Sequence, residues 1–482
     1  LFRSRCLLPD GIGCYDLVVN KNKTFGRVLD MKKKLMASIL AASMLVSMAA
    51  GCGNTDEQTD APAAEASGTT ADAATESGAA DTDGEEVTIK LFSNLPDRKN
   101  GQGLVEQTII DQYMSENPNV NIEVEALDEE SYKTKFKAYA MDGMPDVVSI
   151  WGQPSFLDEV LDAGVLAELD ESDYSDYGFV SGSLEGFKKD GKLYGLPRNT
   201  DIMVFYYNEK MFDDNGWEVP QTYDDLLALS DQINAAGIVP VAMDGGDGWV
   251  LACYMQDLMV RIAQTPADTI SDAIANGDFS DPLFSEAAQL LADTASAGVF
   301  QTGFDSQDYG TAQNLFTNGQ AAMFYMGSWE TSMALNEDIP EEVRDNIRAF
   351  VMPAVADGKG TATDLAAWNG GGYAVSADSK VKDEAIKFLN YMYQPDQLSK
   401  LGWEFGVGLS AQDQTDYLTG EETDLQMQIM DLLNNATNIS GTPINDCGSS
   451  NFKTTIETEI QSLANGTEST DDFLSALGNA CK

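Results

Sequence analysis

The alternation of apolar and polar residues beyond position 86 predicts a sheet with crossover helices. Val87 to Phe92 (VTIKLF) and Val120 to Leu127 (VNIEVEAL) alternate as half-buried strands do. Between them, GLVEQTIIDQYMSENP carries apolar residues at helical spacing and ends at Asn117-Pro118. A strand, a helix and a second strand in close succession are typical of parallel α/β architecture. We therefore expect an α/β fold.

The same pattern continues along the chain. SYKTKFKAYAMDG predicts another helix, and the apolar run Val147 to Ile150 that follows Pro145-Asp146 predicts a buried strand. Helical spacing returns at Tyr223 to Asn234, Ser285 to Ser296 and Lys382 to Tyr393. The body of the chain is thus predicted to alternate between strands and helices.

The N-terminal region differs from this body. Residues 1–30 show no useful periodicity, and we interpret them as an upstream extension that precedes the true start at Met31. Three lysines then precede Leu35 to Met48, an apolar run too short to span a bilayer comfortably. Residues 31–51 are therefore predicted to be a signal peptide. Small residues lead to Cys52 and resemble a bacterial lipobox, with Ala49 in place of the usual Leu. We expect Cys52 to be lipidated.

The segment after Cys52 predicts a tether. Gly53 to Glu86 is rich in acidic residues and contains no Leu, Ile, Val, Phe, Lys or Arg. Such a composition buries too little apolar area to order itself. Residues 52–86 are therefore expected to be a lipidated Cys followed by a disordered acidic tether.

The charge of the chain excludes several kinds of chemistry. The 482 residues include 78 acidic and 29 basic side chains and no His, which gives a formal net charge of −49. Without His there is no Ser-His-Asp or Cys-His nucleophile pair and no imidazole metal ligand. The negative charge also disfavours binding to nucleic acid and direct binding to anionic membrane surfaces. We expect no cofactor and no metal.

The cysteines do not indicate a disulfide framework. An odd number remains once Cys52 and the two cysteines of the N-terminal extension are set aside. Cys447 and Cys481 could pair, but a core thiol or a free thiol fits the sequence as well.

Four stretches in a fixed order carry a family resemblance. They are Asp190 to Pro197 (DGKLYGLP) with Asp201 to Lys210 (DIMVFYYNEK), Pro220 to Leu226 (PQTYDDL), Leu315 to Met323 (LFTNGQAAM) with Gly327 to Trp329, and Gly370 to Ser376 (GGGYAVS) with Ala385 to Leu389 (AIKFL). Together they resemble the family 1 extracellular solute-binding proteins of ATP-driven importers, over roughly Val87 to Ser410. Thr222 is a plausible N-cap of the helix that follows it.

The resemblance implies a two-lobed, type II periplasmic-binding-protein-like fold with a ligand cleft between lobes joined by hinge strands. We expect lobe 1 to comprise about 87–199 and 352–400, and lobe 2 about 200–351 and 401–482. The implied protein is a monomeric lipoprotein on the outer face of the membrane of a Gram-positive cell. It would capture a sugar or oligosaccharide by hinge closure and deliver it to the permease subunits of an ABC transporter, touching the membrane through its lipid anchor only.

Tryptophans and neighbouring polar residues are the candidate ligand contacts. Five of the six Trp stand beside Gly or polar residues at predicted element ends, whereas Trp217 is interpreted as a structural loop residue. A sugar needs flat aromatic surfaces for its C–H faces and carboxylates or amides for its hydroxyls. With the resemblance, the predicted ligand-binding residues are Trp151, Asn199, Asp201, Asp247, Trp249, Trp329, Trp368, Asn369, Gly370, Trp403 and Glu404. Arg198 could pair with a ligand acid or with Asp201.

Two alternatives stay open at this stage. Acidic and aromatic residues would also suit a cationic solute such as an amino acid or polyamine. A secreted carboxylate glycosidase would use similar residues, and with 78 acidic residues some suitable pair is expected in any case. A metal ligand is disfavoured because Asp244-Gly-Gly-Asp247-Gly does not have calcium-loop spacing.

Overall fold

The computed structural model describes residues 86–482, and the predicted extension, signal peptide, lipidation site Cys52 and nearly all of the tether lie outside them. The strands are β1 (Val87–Ser93), β2 (Val120–Ala126), β3 (Val147–Trp151), β4 (Lys188–Lys189), β5 (Lys192–Leu193), β6 (Leu196–Pro197), β7 (Asn199–Asn208), β8 (Val239–Ala242), β9 (Ala321–Gly327), β10 (Ile347–Phe350), β11 (Asp364–Leu365), β12 (Ala367–Asn369), β13 (Gly371–Val375), β14 (Leu409–Ser410) and β15 (Asn438–Ile439).

The α-helices are α1 (Gly101–Glu116), α2 (Glu129–Asp142), α3 (Pro154–Asp162), α4 (Glu209–Asn215), α5 (Tyr223–Ala235), α6 (Trp249–Ala263), α7 (Ala267–Asn276), α8 (Pro282–Ser296), α9 (Tyr309–Thr317), α10 (Glu341–Arg344), α11 (Lys382–Met392), α12 (Leu398–Glu404), α13 (Asp424–Asn434), α14 (Ser450–Ala464) and α15 (Thr470–Ala480). Short 3₁₀ helices are Glu171–Tyr174, Glu185–Phe187, Phe304–Ser306, Ser328–Leu335, Thr415–Tyr417 and Ile444–Asp446. None of the helices described here is long and apolar enough to cross a membrane.

Lobe 1 is built on a sheet with the strand order β2-β1-β3-β13-β6. β1 pairs in parallel with β2 and β3, whereas β13 runs antiparallel to β3 and β6. The opening strand, helix and strand predicted from hydrophobic periodicity are therefore confirmed. A core that includes Ile89, Ile150 and Phe388 joins this sheet to its helices.

Lobe 2 is built on a second sheet with the order β10-β7-β9-β8. β7 is antiparallel to both neighbours, and β8 pairs in parallel with β9. Its core includes Phe205, Leu258 and Phe324, and the apolar helix α6 is buried along most of its length. The predicted N-cap is confirmed, because Thr222 and Asp225 form a reciprocal capping box at the start of α5.

The chain crosses between the lobes at three adjacent places. At the first crossing the Arg198 amide donates to the Gly371 carbonyl at 2.8 Å. At the second the Gly370 amide donates to the Asn199 carbonyl at 2.9 Å. At the third, β14 pairs with the start of β7 through Leu409 and Thr200. These crossings form a short hinge of three strands side by side.

Two crossings lie later in the chain than predicted. Met352, Val355 and Leu365 pack in the lobe 2 core, so the return to lobe 1 occurs at residue 370 and not near 352. Val407 still packs in the lobe 1 core, which moves the last crossing beyond 401. The sequence could not indicate the positions of these crossings, because both lobes have apolar cores and residues 352–366 have no clear periodicity.

The three cysteines within residues 86–482 are free thiols. Cys253 is buried, and Cys447 and Cys481 are half-buried and do not pair with each other.

Candidate functional site

A cleft of about 950 Å³ lies between the lobes and meets the hinge at its floor. The structure brings together eight of the eleven predicted contacts along its wall: Trp151, Asn199, Asp201, Asp247, Trp249, Trp329, Trp368 and Gly370. These residues come from widely separated parts of the chain. Their convergence on one concave surface is what a small-ligand site requires.

Three tryptophans form one side of the cleft, which we call the aromatic wall. Trp249 is the first residue of α6, Trp329 follows β9, and Trp368 lies in β12. The ring centroids of Trp249 and Trp329 are 6.0 Å apart, and those of Trp329 and Trp368 are 6.4 Å apart. All three side chains are half-buried. The wall therefore offers half-buried, flat apolar rings to the cleft.

The ring of Trp329 is held by polar residues behind it. Its indole Nε1 donates to the Tyr309 hydroxyl at 2.8 Å, and that hydroxyl donates to the buried Glu330. The Gln313 amide donates to the other Glu330 oxygen at 2.7 Å. Burial raises the pKa of Glu330. Sequence reasoning missed this network, although the acid directly after Trp329 was the one available signal.

Gly327 explains why the ring can fold back against its own strand. A Cβ at position 327 would lie 2.0 Å from a ring carbon of Trp329. Any other residue at 327 would therefore force the ring away from its present place.

The floor of the cleft carries Asn199 and Asp201 on β7. The Asn199 amide donates to the Asp201 carboxylate, and only 4% of Asp201 is exposed. Burial raises the pKa of Asp201 to about 7. A Cβ at Gly370 would lie 1.7 Å from Asp201 Oδ2. Gly370 thus makes the room in which the carboxyl group lies.

A second acid lies beside the aromatic wall. Asp247 is half-buried at the cleft, and its amide donates to Oδ1 of the fully buried Asp244 at 3.3 Å. Burial and the nearby Asp247 raise the pKa of Asp244 to about 9, and burial also raises the pKa of Asp247. Asp244 therefore holds the turn that presents Asp247.

The opposite side of the cleft, which we call the charged wall, belongs to lobe 1. Trp151 packs against Phe156 with ring centroids 5.1 Å apart. The ammonium of Lys133 lies 5.4 Å from the centroid of the Trp151 ring. Lys133 also pairs with Glu129 at 2.6 Å and with Glu130 at 3.1 Å. These charged residues of α2 carry no signal in the sequence, since nothing local distinguishes them from a solvated helix face.

Three predicted contacts lie outside the cleft lining. The Asn369 amide donates to the Ser183 carbonyl at 3.0 Å, and its oxygen accepts from Thr200, so this side chain supports the hinge. Trp403 is buried in the lobe 2 core, with its Nε1 3.2 Å from Glu422. Glu404 is exposed near Lys400. These three side chains lie outside the cleft lining, and a role for them in ligand contact stays a prediction.

Within residues 86–482, no group of three or more acidic or Cys side chains is arranged to hold a metal ion.

Known proteins resemble this chain over most of its length. The family described as bacterial extracellular solute-binding protein matches residues 108–404. The multiple sugar-binding protein of Streptococcus mutans is 26% identical over 315 residues, which cover 64% of this chain and 71% of that protein. The alpha-glucosides-binding periplasmic protein of Rhizobium meliloti is 28% identical over 170 residues, which cover 32% of this chain and 36% of that protein.

Solved structures show the same architecture. A structure from a study of xylan utilization by Caldanaerobius polysaccharolyticus has a TM-score of 0.74 and 27% identity, and the match covers 81% of this chain and 99% of that one. A chitin oligosaccharide binding protein has a TM-score of 0.71 and 23% identity, covering 83% of this chain and 98% of that one. The predicted two-lobed α/β fold is confirmed. The chain belongs to the bacterial extracellular solute-binding proteins.

Proposed function

We propose that this protein captures a sugar or oligosaccharide outside the cell and delivers it to the permease subunits of an ABC importer. The observation that carries the proposal is the aromatic wall of three tryptophans standing beside Asp201 and Asp247 in one cleft. The printed names of the sugar-binding relatives support it.

The chemistry of the cleft suits a carbohydrate. Indole faces stack on the apolar C–H faces of a sugar ring, and carboxylates accept its hydroxyl groups. The volume of about 950 Å³ is at the upper end of the range for small-molecule sites, which favours a ligand of more than one ring. Rotation about the three-strand hinge would close the lobes over the ligand.

One panel of ligands distinguishes sugar binding from the binding of an amino acid or polyamine. Purified protein is titrated calorimetrically with maltotriose, xylotriose, raffinose and chitotriose, and with amino acids and polyamines. We expect saturable binding of at least one sugar with a micromolar Kd, about −8 kcal/mol. Binding of a polyamine or amino acid and of no sugar would overturn the proposal.

Raised carboxyl pKa values also occur in enzymes, so the fate of the sugar matters. We propose that the protein returns its ligand unchanged. The eluted sugar is analysed by mass, and the appearance of shorter products would favour the glycosidase alternative.

We further propose that Cys52 is the lipidated N-terminus of the mature protein and that the acidic tether holds the body outside the membrane of a Gram-positive cell. The basic and apolar run before Cys52 supports this. Cells that express wild type should retain the protein in the membrane fraction. Cells that express Cys52→Ser should release it or leave it unprocessed, and unchanged processing and retention would contradict the proposal.

A further inference from the structure

Glu330 is a buried acid that directly follows Trp329, the central ring of the aromatic wall. Only 9% of the residue is exposed. A buried carboxyl group costs free energy unless its oxygens accept hydrogen bonds. One oxygen accepts from the Tyr309 hydroxyl and the other from the Gln313 amide at 2.7 Å, and both donors lie one turn apart on α9. Both bonds of this acid therefore lead to the helix behind the ring.

The Tyr309 hydroxyl connects Glu330 to the Trp329 ring. A hydroxyl has one proton to donate, an ionised carboxylate only accepts, and an indole N–H only donates. The Tyr309 proton therefore goes to Glu330, and the hydroxyl oxygen accepts the Trp329 Nε1 proton at 2.8 Å. The three groups form a chain of hydrogen bonds that can run in one direction only, and the acid stands at its end.

The backbone around Trp329 is held by other groups. The Tyr206 hydroxyl donates to the Gly327 carbonyl at 2.8 Å. The Thr331 hydroxyl donates to the Ser328 carbonyl at 2.6 Å. Loss of the bonds that end at the acid should therefore release the ring while the backbone stays in place.

We propose that Glu330 is a positioning residue for sugar binding, which acts through Tyr309 to hold the Trp329 ring in one orientation between Trp249 and Trp368. The inference rests on the proposed function and adds to it a residue that acts through another side chain. A ring that is already fixed loses less conformational entropy on binding than a ring that can rotate. Because Tyr309 takes the indole proton, the ring offers the sugar its face and not a hydrogen-bond donor.

The test compares Glu330→Met, which keeps the length of the side chain and removes both acceptors, with Glu330→Gln, which keeps one acceptor for Tyr309. Each variant and wild type are titrated calorimetrically with maltotriose, xylotriose, raffinose and chitotriose. Glu330→Met should lower the affinity for the sugar that wild type binds most tightly by about tenfold, and Glu330→Gln should lower it less. Tyr309→Phe removes the same connection at its middle and should match Glu330→Met.

A double-mutant cycle separates positioning from support of the fold and from direct contact with the sugar. Trp329→Phe keeps a ring but has no N–H to donate. In that background Glu330→Met should change the affinity by less than about twofold, since the ring no longer has a bond to Tyr309.

The indole N–H signal of Trp329 in a nitrogen–proton correlation spectrum reports the hydrogen bond without any sugar. It is the signal that Trp329→Phe lacks, and it should shift in Glu330→Met and stay nearly in place in Glu330→Gln. Glu422→Met is the matched control, because Glu422 accepts from Trp403 Nε1 at 3.2 Å in the same lobe and Trp403 lies outside the cleft lining. It should change neither the affinity nor the Trp329 signal.

Three results would overturn the inference. They are unchanged affinity in both Glu330→Met and Tyr309→Phe, an equal loss from Glu330→Met in the wild-type and Trp329→Phe backgrounds, and an unshifted indole signal in Glu330→Met. If wild type binds none of the four sugars, the proposed function fails, whereas the indole signal still reports the hydrogen bond. The two failures are therefore distinguishable.

Discussion

The two sides of the cleft are lined by different kinds of side chain. The aromatic wall of lobe 2 consists of rigid rings whose positions are set by strand ends and by the Tyr309 to Glu330 network. The charged wall of lobe 1 has one tryptophan under the ion pairs of Lys133, which are partly exposed. Rigid rings lose little conformational entropy on binding, whereas exposed ion pairs contribute little free energy. We therefore expect most of the affinity to come from lobe 2.

The largest effect should come from the centre of the aromatic wall. Trp329→Ala removes the ring that contacts both other tryptophans, and we expect affinity to fall about tenfold to hundredfold, or about 1.4–2.8 kcal/mol. Trp249→Ala should lower the affinity several-fold or more. The Tm of each free variant should be nearly unchanged because both side chains are half-buried. Isothermal titration and thermal melts test this, with the core variant Trp217→Phe as the control that keeps full affinity.

A large drop in Tm for Trp329→Ala or Trp249→Ala would instead show that these rings stabilise the fold of lobe 2.

The buried acid at the floor should make stability depend on pH. Burial raises the pKa of Asp201 to about 7, so its contribution to stability is full below its unfolded pKa and is lost as pH rises towards 7. At pH 8 the wild type buries a carboxylate that Asp201→Asn lacks. The variant should therefore have a Tm a few degrees above that of wild type at pH 8, and the difference should shrink or reverse at pH 5.

Subtracting the two melting curves at each pH cancels the other buried acids, such as Asp244. A difference in Tm that does not change between pH 5 and pH 8 would contradict the raised pKa. Sugar affinity should also fall in Asp201→Asn, by about tenfold, since an amide is a weaker acceptor than a carboxylate.

A smaller effect is expected at the rim, where the lobes touch. The Ser155 hydroxyl donates to Asp446 at 2.6 Å, and the Ser450 hydroxyl donates to Glu159. Each bond joins α3 of lobe 1 to the C-terminal part of lobe 2. Ser155→Ala should speed ligand dissociation about two- to fivefold and leave the association rate unchanged, in line with about 1 kcal/mol for one hydrogen bond. Stopped-flow traces measure both rates.

Ser475→Ala, on the exposed face of α15, is the matched control for the rim and should change neither rate. Equal dissociation rates in wild type and Ser155→Ala would show that the rim contact does not hold the lobes together.

The smallest effect should come from the charged wall. Glu130 is exposed and pairs with Lys133 at 3.1 Å, so Glu130→Gln should change sugar affinity by less than about twofold. A tenfold loss in the same titration would reverse the comparison between the two walls.

Hydrophobic periodicity was sufficient for β1 and β2, because β2 and the first half of β1 alternate between buried and more exposed residues. Tryptophans beside glycine or polar residues at element ends predicted the four tryptophans that line the cleft, Trp151, Trp249, Trp329 and Trp368. The same local rule failed at Trp403, whose ring is buried in the lobe 2 core although Leu398 of the same helix packs in the lobe 1 core. The partners of Trp329 and the pairing state of Arg198 depend on distant segments, and no local pattern encodes those contacts.

The central claim is capture of an intact sugar in the cleft, and one calorimetric titration followed by mass analysis of the recovered ligand tests it most directly. Wild type should bind one equivalent of a neutral oligosaccharide with a micromolar Kd, Trp329→Ala should bind it at least tenfold more weakly, and the sugar should be recovered unchanged. Equal affinity in the two proteins, no heat with any sugar, or recovery of shorter products would contradict the account.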